Sequence, residues 1–286
     1  MSGPGMTGAG MTPQDYELLA ALAKVRAGLK IDPAKTYLID SRLAPLARRE
    51  NFGAIADMVL ALRAMREERL IWAVVEALTF NDTAFYRDRI PFRQFRDEVL
   101  PALSRLRGPG PLRVWSAGCA TGQEAYSLAM AADDIQGLTP GSTVEVYGSD
   151  LSERCLEKAQ SGLYTQFEVQ RGLPIRQLLR HFEQVDDQNW RISPRIRQKI
   201  RWRRVNLLTD LGGSGRFDII FCRNVISGLD QAARKTVLEG LAALLPEDGF
   251  LWLGVNEAAI DSTQAFKAIP GRPGLYARNP AFKVAA

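Results

Sequence analysis

The spacing of hydrophobic and polar residues changes along the chain, and this change predicts where different kinds of structure begin. From Thr12 to about Leu78, apolar residues recur three and four positions apart, which is typical of amphipathic helices. Thr12 is expected to cap the first helix, with Pro13 at the first helical position. Further helices are predicted at Ala44–Glu50, Ile55–Glu67 and Leu70–Leu78. This part of the chain is therefore expected to be a small all-α domain.

The pattern changes twice more before the C-terminus. In residues 79–110, phenylalanines and charged residues precede a helix that is predicted from Pro91 to about Leu106, and Gly108–Pro111 reads as a linker. From Leu112 on, strands alternate with helices, which predicts a mainly parallel sheet with helices on both faces. We expect strands at 112–117, 143–149, 200–205, 217–221, 249–254 and 273–278, and helices at 122–135, 152–161 and 230–245.

These patterns define the expected domains. Residues 1–11 are predicted to be a disordered lead-in, 12–78 a helical domain, 79–110 a connecting segment and 111–286 an α/β domain. The alternation is interrupted between Gly162 and Ile200, so we expect an inserted subdomain at about 163–200.

Composition narrows the class of protein. The 286 residues are 46% hydrophobic and 24% charged, as in a soluble globular protein, and contain no apolar run near the ~20 residues that span a bilayer. Cys119, Cys155 and Cys222 lie far apart without C-x-x-C spacing, which argues against a disulfide framework or zinc site and favours the cytoplasm. The net charge of +5 fits nucleic acid, a membrane surface or an acidic protein as partner.

A glycine turn follows the first predicted strand of the α/β region. It runs from Gly118 to Gly122, where a helix begins. Because glycine has no Cβ, the backbone of such a turn can approach a ligand closely, and Gly118 is a candidate contact. The G-x-x-x-G spacing differs from the G-x-G-x-x-G of dinucleotide sites. It favours an adenosine cofactor without a pyrophosphate, S-adenosylmethionine (SAM).

Two acidic residues lie where such a cofactor would need them. Asp150 ends the second strand, the position from which α/β nucleotide-binding folds hold a ribose. Glu124, just inside the helix after the glycine turn, could accept hydrogen bonds from an ammonium group. Each also has a structural interpretation, Asp150 as the cap of the next helix and Glu124 as an acid favoured by the helix dipole. Ser152 can do the capping itself, which weakens that interpretation of Asp150.

Two later strands end in polar pairs. Asn206-Leu207 follows one strand and Arg223-Asn224 follows the next. The carboxyl ends of the strands form the ligand-binding edge of an open α/β sheet, so Asn206 could bond to adenine and Leu207 cover its face. An asparagine at a strand end is usually a turn former, and both interpretations stay open at this stage.

Longer motifs give the chain a family resemblance. It resembles the CheR family, the SAM-dependent methyltransferases of chemoreceptor glutamates, in GCATGQEAYSLAM, SDLSERCLEKAQSGLY, RVNLLTD, FDIIFCRNV and LPEDGFLWLG. Upstream, NDTAFYRD is similar to the N-x-T-x-F-[FY]-R signature of that family. The resemblance implies a Rossmann-like α/β methyltransferase domain with a small inserted β-subdomain, preceded by a small all-α domain.

The resemblance also implies roles for single residues. The cofactor positions of the family fall on Asn81, Thr83, Arg87, Glu124, Asp150, Asn206, Leu207, Arg223 and Asn224. Glu124 matches the acid that holds the methionine moiety, Asp150 matches the ribose acid, and the product would be S-adenosylhomocysteine (SAH). The insertion matches a subdomain that binds a receptor C-terminal peptide in some members. The short Asp186–Trp190 turn argues against that tethering here.

One departure from the family concerns the methyl-transfer site. Members usually have a tyrosine three to five residues after Arg-Asn, whereas this chain has Gly228 in that place. Arg87 is then the main candidate for orienting the substrate carboxylate, and Tyr86 for supplying a hydroxyl. A glutamate, with an unperturbed pKa of about 4.3, is ionised at pH 7 and needs no general base. His181 is therefore interpreted as structural, and no metal is expected.

Basic residues suggest how a substrate protein would dock. The family's substrates imply an acidic helical bundle, the cytoplasmic part of a chemoreceptor, as partner. The arginines expected to dock it are Arg42, Arg48, Arg49, Arg63 and Arg66. A second basic cluster within 191–204 reads either as solvated surface or as a docking surface. Neither nucleic-acid binding nor membrane insertion is expected.

Three alternatives compete with this interpretation. A SAM-binding regulatory or scaffold protein of the same fold, with weak or no transfer, is favoured by Gly228. A nucleic-acid methyltransferase is suggested by the charge, but Arg223-Asn224 stands where such enzymes carry an Asn/Asp-Pro-Pro-Tyr/Phe motif. An NAD-dependent oxidoreductase is disfavoured by the glycine spacing.

Overall fold

The computed structural model describes residues 10–65, 67–135, 138–209 and 211–283. These residues form two compact units. The first comprises the described chain up to Phe80 together with Gly228–Ala233, and the second comprises Asn81–Ser227 together with the chain from Arg234 on. Most of the lead-in predicted at 1–11 lies outside the described residues.

Helices account for the first unit, as its apolar spacing predicts. They are α1 (Pro13–Ala27), α2 (Thr36–Arg49), α3 (Ile55–Met65) and α4 (Glu68–Leu78). The start of α1 is confirmed, because the backbone N–H and the hydroxyl of Thr12 both donate to Asp15 Oδ2 at 2.8 Å. The predicted start of α2 at Ala44 is wrong. Pro45 has the appearance of a first helical residue, yet it lies inside a helix that begins at Thr36.

The second unit opens with a helical stretch that has an irregular centre. It consists of α5 (Ile90–Gln94), a π-helical turn (Phe95–Val99) and α6 (Leu100–Arg107), which confirms the helix predicted from Pro91 to about Leu106. The π-helical turn lies just before Pro101, which has no backbone N–H to donate to the preceding turn.

A seven-stranded sheet forms the centre of the second unit, in the order β6-β2-β1-β7-β8-β10-β9. Its strands are β1 (Gly110–Ala117), β2 (Ser142–Asp150), β6 (Ile200–Arg204), β7 (Ile219–Phe221), β8 (Phe250–Trp252), β9 (Phe266–Ala268) and β10 (Leu275–Arg278). The first five in the sheet order are parallel, and β10 is antiparallel to both β8 and β9. The predicted strands are thus confirmed within a few residues, whereas β9 was not predicted.

The helices that alternate with these strands also match their predicted positions. They are α7 (Gln123–Asp133), α8 (Glu153–Ser161) and α12 (Gln231–Leu244). Between α8 and β6 the chain forms the inserted subdomain, a three-stranded antiparallel sheet in the order β3-β5-β4. Its elements are β3 (Leu163–Thr165), α9 (Gln166–Gln170), α10 (Ile175–His181), β4 (Phe182–Gln184), β5 (Asn189–Ile192) and α11 (Pro194–Arg197).

Large aromatic side chains pack the sheet of the second unit. Phe221 stacks on Trp252 with ring centroids 4.7 Å apart, and Phe95 meets Phe221 edge-on at 5.7 Å. All three are fully buried. The three cysteines are buried free thiols, as their spacing predicts. Among the described residues, no helix combines the length and apolar character that crossing a membrane requires.

Candidate active site

Four neighbouring parallel strands, β2, β1, β7 and β8, end at one edge of the sheet. Their register places Ala117 opposite Ser149, Ser116 opposite Phe221, and Phe221 opposite Trp252. The loops that follow these strands carry predicted site residues, and we name this place the carboxyl edge. The predicted residues found at the strand ends, in these loops or in the first turn of the helix that follows are Gly118, Glu124, Asp150, Arg223 and Asn224.

The glycines of the turn make room for protein atoms. Gly118 has a φ of 75°, and a Cβ there would lie 2.5 Å from a methyl carbon of Val225. At Gly122, with a φ of 93°, a Cβ would lie 2.7 Å from that of Ala159. Both positions therefore require glycine for backbone conformation and for internal packing. Val225 therefore occupies the space beside Gly118 on the side where a Cβ would point, a space through which a ligand was expected to approach.

Asp150 is the last residue of β2, and only 8% of it is exposed. Its Oδ2 accepts the Ala120 N–H at 2.8 Å and its Oδ1 accepts the Ser152 N–H at 2.9 Å. Burial raises the pKa of this carboxyl, and the backbone hydrogen bonds partly oppose that shift. Ser152 itself caps α8 by accepting the Cys155 N–H. Three backbone N–H groups, of Ala120, Ser152 and Leu151, act on a carboxylate that has about four acceptor sites, so Asp150 can still accept a ligand hydroxyl.

Glu124 lies in the first turn of α7 and is 9% exposed. Its Oε1 accepts the Ser116 hydroxyl at 2.8 Å, and its Oε2 accepts from Arg223 Nη1 at 3.2 Å. Burial raises the pKa of Glu124, while Arg223 and Ser116 act in the opposite direction. Two buried carboxylates, Asp150 at the end of β2 and Glu124 in the first turn of α7, therefore lie at the same edge of the sheet.

Arg223 connects three parts of this site. Its guanidinium contacts Glu124 through Nη1, while Nη2 donates to Asp88 Oδ2 at 2.6 Å and to the Arg87 carbonyl at 2.9 Å. Only 1% of the side chain is exposed. Arg223 is predicted to contact the cofactor directly. In the structure its guanidinium instead donates to Glu124, Asp88 and the Arg87 carbonyl.

The segment from Asn81 to Arg89, which we name the 81–89 loop, is anchored at several points. Phe85 is fully buried between the rings of Tyr164 and Phe182, at 5.0 and 5.5 Å. The Tyr86 N–H donates to Ser127 Oγ at 2.9 Å. At its exposed start, Asp82 forms a two-point ion pair with Arg171 at 2.7 and 3.1 Å. The predicted cofactor residues Asn81 and Thr83 flank Asp82, and they are exposed and half-buried respectively.

The two catalytic candidates of this loop have different environments. Arg87 is one-third exposed, and its Nη1 donates to the Asp82 carbonyl at 2.8 Å. The Tyr86 hydroxyl is buried and has no hydrogen-bond partner among the described residues. Burial raises the pKa of Tyr86, and the charges that act on it belong to Asp134 and Arg96.

This environment weakens the case for catalysis by Tyr86. Asp134 follows the last residue of α7, whereas Glu124 lies in its first turn, so the two mark opposite ends of that helix. The Tyr86 hydroxyl is buried and is influenced by the charge at the Asp134 end, and no described hydrogen bond links it to Glu124. A catalytic role for Tyr86 stays a prediction that the structure does not support.

After β6, Asn206 behaves as a turn former. Its Oδ1 accepts the Leu208 N–H at 3.1 Å, and its carbonyl accepts the Thr209 N–H at 3.2 Å. Leu207 is half-buried within the same turn. The amide oxygen is thus engaged locally, which favours the structural interpretation of that oxygen.

Glu257, in the loop after β8, was missed by the sequence analysis. It is 7% exposed, and its carboxylate accepts the N–H groups of Asn224, Gly254 and Ser227 at 2.7, 2.8 and 2.8 Å. Asp150 was identified as an acidic residue at the end of a predicted strand, and Glu257 follows the strand predicted at 249–254 in a similar way. It was overlooked because it lies three residues beyond the end of that strand.

Backbone strain is concentrated around these loops. Six non-glycine residues among those described have a positive φ, and five of them belong to the 81–89 loop, the glycine turn or the loop after β7. They are Tyr86, Asp88, Arg89, Ala120 and Asn224, with φ between 43° and 65°. Such conformations persist only where the surrounding contacts hold them, and they occur preferentially at functional sites.

The arginines predicted to dock a substrate differ in availability. Arg42 is half-buried, donates to the Leu78 carbonyl at 2.7 Å and lies 3.7 Å from the centroid of the Phe80 ring. Arg63 pairs with Asp15 at 2.8 Å, and Arg49 with Glu50 at 3.4 Å. Arg48 is exposed, and Arg66 lies outside the described residues. Arg63 is exposed despite its ion pair, whereas Arg42 is half-buried and engaged within its own unit, and the docking role of these arginines stays a prediction.

His181 and two residues of the mid-chain basic cluster, Arg195 and Lys199, lie beside the same pair of acidic residues, Asp133 and Asp134. Ligand atoms of Asp133, Asp134 and His181 lie within 4.8 Å of one another, a spacing that a metal could use. However, Asp133 binds Arg195 at 2.7 Å and Lys199 at 2.6 Å, and Asp134 binds Arg180 at 2.5 Å. Because these cations already balance the carboxylates, we interpret the cluster as structural. His181 itself is fully buried.

Comparison with known proteins places this geometry in a family. Residues 81–275 match the model of the CheR methyltransferase SAM-binding domain, and residues 14–79 match the CheR methyltransferase all-alpha domain. The chain is 32% identical to chemotaxis protein methyltransferase 1 of Pseudomonas aeruginosa, over 92% of this chain and 97% of that protein. It is 30% identical to the chemotaxis protein methyltransferase of Vibrio parahaemolyticus, over 94% of this chain and 98% of that protein. The chain belongs to the CheR family of SAM-dependent methyltransferases.

Proposed function

We propose that this protein transfers a methyl group from SAM to glutamate side chains of a chemoreceptor and so forms glutamyl methyl esters. The observation that carries the proposal is the pair of buried carboxylates, Glu124 and Asp150, at one edge of the sheet, with Arg223 joining Glu124 to the loop of Arg87. This arrangement provides acceptors for a cationic, hydroxyl-bearing cofactor and one partly exposed cation for an anionic substrate.

The residues at this edge fit SAM. SAM supplies an activated methyl group, bonded to a sulfonium. Asp150 is suited to accept a hydrogen bond from a ribose hydroxyl, since its backbone donors leave acceptor capacity on the carboxylate. Glu124 is suited to hold the ammonium group of the methionine moiety. Burial disfavours the charged form of both carboxylates. Hydrogen-bond donors on a bound ligand would stabilise that charged form and so offset the effect of burial.

Arg87 is the residue that we assign to the substrate. Its bond to the Asp82 carbonyl fixes the orientation of the guanidinium, yet one-third of the side chain stays exposed. A planar guanidinium can hold a carboxylate through two parallel hydrogen bonds. The substrate glutamate is already ionised at neutral pH, so no residue has to remove a proton. The protein therefore contributes mainly by positioning the reacting groups.

Docking of the receptor is assigned to the first unit. Its surface contains a groove of about 490 Å³ lined in part by Lys30, Lys35 and Arg42. Arg48 and Arg49 are exposed near the end of α2. An acidic helical bundle, the cytoplasmic part of a chemoreceptor, is complementary in charge to this surface. Association should therefore weaken as salt rises, and an affinity that stays constant from low to high salt would rule out electrostatic docking.

The test of the proposal is transfer of labelled methyl groups to receptor-containing membranes. Arg87→Ala should keep its affinity for SAH within a few-fold of the unaltered protein and lose most of the transfer. Arg93→Ala, which removes an exposed arginine from the neighbouring helix, is the matched control and should change neither. Simultaneous loss of SAH binding in Arg87→Ala would assign Arg87 to the cofactor.

One alternative function keeps the site without the reaction. Gly228, where related enzymes usually carry a tyrosine, favours a SAM-binding regulatory protein. The same assay separates the two functions, because the unaltered protein would then bind SAH and transfer no label.

A further inference from the structure

We propose that Glu257 is a positioning residue for the cofactor site, one that acts by fixing the loop of residues 223–227 after β7. The inference rests on the proposed function, since it assigns Glu257 to the site described there. The Glu257 carboxylate accepts three backbone N–H groups, from Asn224 and Gly254 through Oε2 and from Ser227 through Oε1. Two of these donors belong to that loop, and the third begins the turn that carries Glu257.

The contacts require both a carboxylate and a close backbone approach. Hydrogen bonds from N–H groups to a charged acceptor are about twice as strong as those between neutral groups. A Cβ at Gly254 would lie 2.9 Å from Glu257 Oε2 and 2.7 Å from the Asn224 side-chain nitrogen, so only glycine allows this arrangement. Asn224 adopts a φ of 61°, a conformation that needs such support.

Glu257 influences the site through Arg223. The loop that it fixes begins with Arg223, whose guanidinium holds Glu124, Asp88 and the Arg87 carbonyl. Glu257 has no described hydrogen bond with any of these groups. A loop released from Glu257 would sample other conformations, and the fraction of molecules with a binding-competent site would fall. The apparent dissociation constant of a ligand rises as the inverse of that fraction.

The test compares Glu257→Gln with the unaltered full-length protein, using SAH as the probe in calorimetric titration. Glutamine has one oxygen and one NH₂ group, so at least one of the three backbone donors loses its acceptor. We expect the dissociation constant for SAH to rise about tenfold, the effect of one buried unsatisfied donor. The KM for SAM in the transfer assay should rise in parallel, while the melting temperature without ligand changes little.

Two further variants make the outcome decisive. Glu239→Gln alters a half-buried carboxylate whose one acceptor bond from the described residues comes from the Thr263 hydroxyl, and it should leave SAH affinity unchanged. Glu257→Asp keeps the charge and should recover part of the affinity, and it replaces Glu257→Gln if that variant does not fold. Unchanged SAH affinity in a folded Glu257 variant, or a loss only of melting temperature, would overturn the proposal. Failure of the unaltered protein to bind SAH would instead refute the proposed function.

Discussion

Arg223 Nη1 lies 3.2 Å from Glu124 Oε2, and this ion pair is buried beside the carboxyl ends of the parallel strands. The same guanidinium reaches Asp88 at 2.6 Å. Removing one partner of a buried ion pair leaves an uncompensated charge, which is usually more damaging than replacing the whole pair. The pair therefore makes the cofactor site sensitive to changes at Glu124.

Glu124→Gln should lower SAH affinity by at least tenfold. The change removes the negative charge that we assign to the ammonium group and leaves Arg223 with one carboxylate instead of two. A charged hydrogen bond contributes about 1.5–3 kcal/mol, which corresponds to a tenfold effect or more. Titration calorimetry measures it. Ser116→Ala removes the other hydrogen bond of Glu124 but keeps the charge, and an equal loss in that control would contradict the assignment.

Asp150→Asn should abolish measurable SAH binding. Both Asp150 oxygens accept hydrogen bonds from backbone N–H groups. An asparagine would point its NH₂ group at one of these N–H donors. The site would also lose one oxygen that could accept a ribose hydroxyl. The control is Ser152→Ala, which removes only the cap of α8 and should lower stability by about 1 kcal/mol. Near-normal SAH affinity in Asp150→Asn would argue against ribose binding by this residue.

Sequence patterns predicted the features that are determined by residues close to one another in the chain. The strands, α7, α8, α12 and the position of Asp150 follow from local periodicity and turn residues. The burial of the Tyr86 hydroxyl was not predictable, because the backbone has positive φ values at Tyr86 and Asp88, which a sequence pattern does not show. The role of Glu257 depends on its distance to Asn224, 33 residues away in the chain, which only the folded sheet determines.

Gly148 gives a prediction about stability. A Cβ at this residue of β2 would lie 2.4 Å from ring carbons of Trp202 on β6. Gly148→Ala should therefore destabilise the protein by about 1–3 kcal/mol, as overpacked cores generally are. Gly212→Ala is the matched control, since no heavy atom in the described part of the chain lies within 4 Å of its built Cβ. Denaturant unfolding measures both, and equal stability of the two variants would contradict the packing described here.

His181 predicts a pH dependence of stability. Burial lowers the pKa of His181, an effect that Asp134 and Asp133 oppose and that Arg180 and Arg195 reinforce. The unfolded chain therefore binds a proton more readily than the folded one. The contribution of His181 to stability should be complete above its unfolded pKa of 6.5 and decrease as the pH falls below that value.

The measurement is the free energy of unfolding at pH 8 and pH 5.5. The unaltered protein should lose more stability between these values than His181→Leu, which has no titrating group at this position. Both proteins share every other titrating group, so the difference isolates His181. Parallel curves for the two proteins would show that His181 does not titrate in this range.

Gly228 allows a direct test of the missing tyrosine. Among the described residues, the one heavy atom found within 4 Å of a Cβ built at Gly228 is a ring carbon of Phe80 at 3.9 Å, an ordinary van der Waals distance, so a larger residue can start there without strain. Gly228→Tyr should raise the rate of methyl transfer several-fold, because it restores the hydroxyl that related enzymes usually carry after Arg-Asn. SAH affinity should stay unchanged, and Gly228→Phe should not raise the rate because it adds the ring alone. Equal rates in all three proteins would mean that this chain orients its substrate without that hydroxyl, which leaves the role to Arg87.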